Sequence, residues 1–137
     1  MLGSTVGSSA AGTGSYQPGV CNIGPAEIAR RRAAGYVGAA IAIIVLVLLV
    51  AFHVPPIARL LLFFPIAVSA SGFLQAHFRF CAMFGSRGIF NFGDVGDTRE
   101  VVDPEARARD RAMSRRISLA SFGIGLTVAL IAVLLPI

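Results

Sequence analysis

A chain of 137 residues is one domain at most. It is 55% apolar and 14% charged, with a mean hydropathy of +0.77; a soluble domain carries about 25% charged residues, so the balance argues against a soluble enzyme and for an integral membrane protein. The net charge of +5 comes from twelve arginines, without a lysine, against seven acids; in a soluble protein it would suggest nucleic acid, but here the basic residues flank apolar stretches, which rejects that partner.

Residues 1–20 are rich in Gly, Ser, Thr and Ala, carry no charge and read as a flexible cytoplasmic tail. They lack the positive and apolar regions of a signal peptide. Val20 stands where a lipoprotein cysteine at position 21 would need a small residue. A helix starts at Gly24-Pro25-Ala26-Glu27, with proline in the first turn and Glu27 complementing the positive helix end. It passes Arg30, Arg31 and Arg32, placed at phosphate level, and enters a first span, Ala33 to Val54, 22 residues without a formal charge. At about 1.5 Å per residue this length crosses a hydrocarbon core of about 30 Å.

Pro55-Pro56 ends that helix and forces a turn. Leu60 to Phe78, 19 uncharged residues between Arg59 and Arg79, is the second span and completes a helical hairpin; Pro65 inside it predicts a kink. Phe80 to Val102 holds Gly85, Gly88, Gly93 and Gly96 among Phe84, Phe90 and Phe92, the texture of a turned loop lying on a membrane surface. Asp103-Pro104-Glu105 restarts a helix as N-cap, first residue and first-turn acid. Asp103 with Arg107, and Glu105 with Arg109, are spaced as i,i+4 pairs. The helix should continue unbroken and amphipathic into the third span, Ile117 to Ile137. The expected fold is therefore an all-α integral membrane protein, a single membrane domain over 21–137 with spans at about 33–54, 60–79 and 117–137 and a cytoplasmic loop over 80–116.

Eleven arginines lie before the first span or between the second and third, and only Arg59 lies at the opposite end. That excess places the N-terminus and the long loop in the cytoplasm and Ile137 outside. Arginine- and alanine-rich usage without lysine points to a GC-rich bacterial genome, hence to the bacterial inner (cytoplasmic) membrane.

Ionisable groups inside spans are the first place to seek function, and they are few. His53 and His77 cap opposite ends: Leu60 to His77 covers roughly 26 Å of helix, so one chain cannot clamp a haem between them, and no cofactor follows from the sequence. Ser69, Ser71 and Thr127 are hydroxyls that bond helix carbonyls or pack between helices. Cys21, His77 and Cys81 form the sharper set. His77 and Cys81 are i,i+4, Cys21 precedes the first span on the same side, and thiolate and imidazole both bind Zn²⁺; the simpler reading is two plain thiols in a reducing compartment. The loop GSRGIFNFGDVGD lacks the GK[ST] of a P-loop. Its amides, with Arg87 and the Arg30–Arg32 cluster, suit a lipid phosphate. Asp94, Asp97, Glu100 and Asp103, interspersed with arginines, read as a solvated charged loop. Small residues recur at helix-packing intervals: Gly35, Gly38 and Ala39 in the first span, Ser71 and Gly72 in the second, Ser121 and Gly125 in the third.

No residue set supplies nucleophile, base and electrophile together. The function expected is a small non-catalytic accessory or scaffolding subunit of a larger bacterial membrane complex, acting by helix packing and loop docking. Its partners would be other integral membrane subunits and a bilayer containing anionic lipids. The alternatives are a metal- or redox-linked membrane protein using Cys21, His77 and Cys81, and an anionic-lipid-binding protein using Arg30, Arg31, Arg32 and Arg87.

Overall fold

A computed structural model describes residues 16–137 and is mostly helical. Most of the expected flexible tail, residues 1–15, lies outside the described residues. Three helical segments are long and apolar enough to cross a membrane: Pro25–Ala51, Pro56–Phe78 and Pro104–Leu134.

The first, α1 (Pro25–Ala51), begins as its sequence dictates, with proline in the first turn after Gly24. It ends where His53 takes a left-handed conformation, φ 52°. The amides of His53 and Val54 then reach back to the carbonyls of Val50 and Leu49, at 3.2 and 3.1 Å, which closes the helix before Pro55-Pro56. The second segment departs from expectation. Pro56–Leu62 is a 3-10 helix, and only Phe63–Phe78, α2, is α-helical. Sixteen α-helical residues give about 24 Å, less than a hydrocarbon core of about 30 Å, and the 3-10 segment lengthens the apolar rod at about 2 Å per residue. Pro65 therefore does not kink mid-helix: it sits in the first turn of α2, where its missing N–H leaves no helical acceptor unbonded.

α2 stops at Arg79, also left-handed at φ 54°, with Phe80 N–H bonding Gln75 O at 3.0 Å. The connection is more ordered than a turned loop. It holds a short helix, α3 (Ala82–Arg87), and two-residue strands β1 (Ile89–Phe90) and β2 (Arg99–Glu100), antiparallel with Ile89 opposite Glu100. Ile23 adds an isolated parallel bridge to Asn91. These strands are a small β addition to a fold expected to be all-α. The last helix, α4 (Pro104–Leu134), is one piece of 31 residues, and its N-cap Asp103 accepts from Glu105 N–H at 3.2 Å, as the sequence predicts. Glu105 and Arg109 pair at 2.9 Å in solvent. Arg107 does not reach Asp103; its Nε donates to the Val101 carbonyl instead.

α2 is the central helix, packing on α1 along one side and on α4 along the other, while α3 lies against α4. The buried positions of α4 recur at steps of three and four: Ala106, Asp110, Ser114, Ile117, Ser121, Gly125, Ala129 and Ala132. That stripe is made almost entirely of small residues. The large apolar residues point the other way: Ile43, Ile44, Val47, Phe64, Leu126 and Ile131 are all exposed. Most of the large buried side chains gather at the arginine-rich end, where Ile23 and Phe80 are fully enclosed; Leu62 and Arg59 are buried at the other.

Candidate functional site

The polar interior of the protein lies where the N-terminal segment, the start of α1 and the connection after α2 meet. Asn22, Glu27 and Asn91 are each at most 1% exposed. Asn22 holds Cys81 by both ends of its amide: its Nδ2 donates to the Cys81 carbonyl at 3.2 Å, and its Oδ1 accepts from the Cys81 N–H at 2.7 Å. Its own carbonyl accepts from Asn91 N–H, and Gly24 N–H returns to Asn91 O. Asn91 Nδ2 donates to Glu27 Oε2 at 3.0 Å, an oxygen that Gly96 N–H also approaches at 3.3 Å. Glu27 Oε1 faces Arg31 Nη1 at 3.0 Å, one helical turn on. Arg31 Nη2 donates to Cys81 Sγ at 2.9 Å, and the guanidinium carbon stands 5.5 Å from the Phe84 ring centre. A buried carboxylate is tolerable only when paired and hydrogen-bonded, and Glu27 is both.

A second buried carboxylate, Asp110 on α4, fixes the chain's first described residues. Tyr16 OH donates to its Oδ2 at 2.6 Å and Gly19 N–H to its Oδ1 at 2.7 Å. The Tyr16 ring stacks on Phe90, centres 4.9 Å apart. Burial, together with the Asp110 carboxylate that its hydroxyl faces, pushes the Tyr16 phenol well above its ordinary value. Burial likewise pushes the Cys21 thiol up, Arg79 acting in the opposite sense. At the far end of the molecule Arg59, 3% exposed, bonds the carbonyls of Ala132 and Leu135 at 2.8 and 3.0 Å and also reaches the Ile137 oxygen. It caps the C-terminal end of α4, where unpaired carbonyls and the negative end of the helix dipole favour a cation.

The structure does not bring Cys21, His77 and Cys81 together as a metal-binding group; among the described residues no three His, Cys, Asp or Glu side chains are placed to hold a metal ion. The i,i+4 spacing of His77 and Cys81 fails because the left-handed Arg79 ends α2 between them. His77 is exposed against Phe78, while Cys81 is buried at the N-cap of α3. Of the arginines expected at lipid phosphates, Arg30, Arg32 and Arg87 are exposed, but Arg31 turns inward to Glu27.

The small residues sit as follows. Gly35 and Gly38 face Phe73 and the backbone of Pro65 and Ser69, Gly72 meets the backbone of Arg31 and Gly35, and Gly125 abuts Phe63 and Ala67. Ser69 Oγ crosses to Gly35 O at 2.7 Å. Ser121 bonds Ile117 O within its own helix. Ala39 and Ser71 are half-buried, Ser71 accepting from Gln75 Nε2. Between α1, α2 and α4 a cleft of about 310 Å³ is lined by Arg31, Ser71, Gln75, Ser118 and Phe122 among others.

Sequence reasoning missed Asn22, Asn91 and Asp110 as buried polar anchors and the half-buried Tyr16 as the partner of Asp110. It also assigned Glu27 to the helix end alone, although the Glu27–Arg31 spacing is the same i,i+4 signal it used for Glu105 and Arg109. Comparison with protein families, characterised proteins and solved structures found no match.

Proposed function

We propose that this protein is a small non-catalytic accessory subunit of a bacterial inner-membrane complex, crossing the bilayer three times with its N-terminal segment and the 80–116 connection in the cytoplasm. The observation that carries the reading is the use made of its buried ionisable side chains. Glu27, Arg31, Asp110 and Arg59 each tie one chain segment to another. Catalytic groups need a cleft and a free reacting atom; Glu27, Arg31 and Asp110 are committed to holding the polar headpiece together, and Arg59 to capping α4.

Crossing of the bilayer is supported by the inverted distribution of side chains, small residues between helices and large apolar ones outside, since association in lipid rests on close backbone approach rather than on a hydrophobic interior. The arginine excess at the headpiece end supports its cytoplasmic placement. Three helices leave most of their apolar faces uncovered, and the exposed loop 93–100 with Arg87 and Arg99 offers a docking surface on the headpiece.

Native electrophoresis of gently solubilised membranes tests the proposal. The chain should migrate in a discrete assembly with a partner at fixed stoichiometry. Migration as a free monomer alone overturns the accessory role, and recovery in the supernatant after alkaline washing overturns the membrane placement.

A further inference from the structure

A second groove, about 610 Å³, lies between α3 and α4, and the proposed function makes no use of it. Its wall on α4 is a single helical stripe of Arg111, Arg115, Ser118 and Phe122, flanked by Ser114 and Leu119; Met83 and Ser86 of α3 face it. The stripe runs from charge to oil. Arg111 and Arg115 belong to the charged first half of α4, Leu119 and Phe122 to the apolar second half, so the groove straddles the boundary between headgroup and acyl chain.

Two observations point to a ligand. First, both arginines are exposed, and the ion pairs found among the described residues, Glu27–Arg31 and Glu105–Arg109, involve neither. The nearest acid in sequence, Asp110, is already bonded to Tyr16 and Gly19. Second, the groove leads from the arginines straight onto apolar surface: Met83, Leu119 and Phe122 are each more than half exposed. Ser114 contributes no donor, since its unpartnered Oγ is sealed beside Gly85.

We infer that this groove binds one anionic phospholipid, its phosphate held by Arg111 and Arg115 and an acyl chain lying along Leu119 and Phe122. An exposed pair of arginines one turn apart suits a phosphate, and the apolar floor beneath distinguishes a lipid from a free phosphate ester. The site differs from the one expected at Arg30–Arg32 and Arg87. The inference rests on the chain lying in a bilayer, and not on its having protein partners.

The test is native mass spectrometry of the purified full chain in micelles doped with phosphatidylglycerol or phosphatidylcholine, with soluble glycerol phosphate as a third probe. Phosphatidylglycerol should be retained at one equivalent, the other two not. Two arginines at an anionic surface account for about a 30-fold preference, so R111Q/R115Q should weaken retention by about that factor. R111Q and R115Q alone should each weaken it about fivefold. R30Q/R32Q, which removes equal charge elsewhere, should retain it as the unaltered chain does. Should R111Q/R115Q lose helix content by circular dichroism, the single variants decide. Equal retention of the two lipids, equal loss in R30Q/R32Q and R111Q/R115Q, unchanged retention in both single variants, or equal binding of glycerol phosphate each overturns the assignment. A monomer that retains phosphatidylglycerol selectively would overturn the accessory role and leave the lipid site standing.

Discussion

Replacing Gly72 by alanine should pry α1 from α2. A Cβ at position 72 would stand 2.6 Å from Arg31 O and 2.7 Å from Gly35 N, both backbone atoms that cannot rotate away. Ordinary contact begins at 3.4 Å, so the α1 backbone must retreat by roughly 0.8 Å. The same retreat stretches the Ser69 Oγ bond to Gly35 O, now 2.7 Å, beyond hydrogen-bonding range. Overpacking of this kind costs about 1–3 kcal/mol, and a lost interhelical bond in a membrane protein about 0.6 kcal/mol. Alanine returns up to about 1 kcal/mol through helix propensity. The net expectation is a loss of about 2 kcal/mol. Gly123→Ala is the control, because a Cβ there meets nothing within 4 Å; it carries the same propensity gain without the clash. Unfolding of both variants by SDS titration in detergent micelles, followed by circular dichroism, measures the difference. If Gly72→Ala proves as stable as Gly123→Ala, the tight α1–α2 crossing is refuted.

Three further outcomes follow from the anchors. Glu27→Gln removes the partner of a largely buried guanidinium and should cost about 3–5 kcal/mol, read as a lower thermal midpoint in micelles; an unchanged midpoint would mean that Arg31 finds compensation elsewhere. Arg59→Gln deprives the Ala132 and Leu135 carbonyls of a charged donor, a loss of about 1.5–3 kcal/mol, and should speed amide exchange in the last turn of α4 while leaving the headpiece protected; exchange raised equally in both places would contradict a local cap. The docking of Tyr16 should fail at alkaline pH. Its phenol keeps its proton when docked and loses it near pH 10 when undocked, so docking is at full strength below about pH 10 and weakens as pH rises through the docked value. Absorbance at 295 nm should show a late phenol component that Tyr16→Phe abolishes, and a titration without that component would refute the Asp110 contact.

The three long helical segments and most of their limits were legible because each is a local pattern, but the 3-10 turns over Pro56–Leu62 were not. Pro25 and Asp103-Pro104 mark their starts, Pro55-Pro56 marks a stop, and uncharged runs give the lengths. Small residues recurring within one helix mark places where backbones can approach, and Gly35, Gly38, Gly72 and Gly125 each stand against a neighbouring helix. What stayed hidden joins residues far apart in sequence. Asn22 with Cys81 and Tyr16 with Asp110 bridge separations of 59 and 94 positions, and no periodicity announces them. Asparagine and aspartate are common surface residues; only the fold decides that Asn22 and Asp110 are enclosed. The Cys21, His77 and Cys81 set failed for a local reason of its own. It assumed an uninterrupted helix from His77 to Cys81, whereas Arg79 adopts the left-handed conformation that closes α2.

Arginine placement carries two different physical messages in this chain, and counting alone merges them. Arg30, Arg32, Arg87, Arg111 and Arg115 are exposed at the headpiece end and carry the long-range charge bias used to orient membrane helices. Arg31 and Arg59 are internal, and each stands where its surroundings demand a cation: Arg31 beside Glu27, Arg59 over the terminal carbonyls of α4. The distinction matters most for Arg59. As a bare count it is the one charge against the orientation. As a buried cap it answers to the helix end it covers, not to the side of a membrane it faces, and helix ends demand such a donor on either side. Removing these two arginines from the tally takes away one residue from the headpiece side and the single exception from the other, so the bias sharpens once Arg31 and Arg59 are set apart.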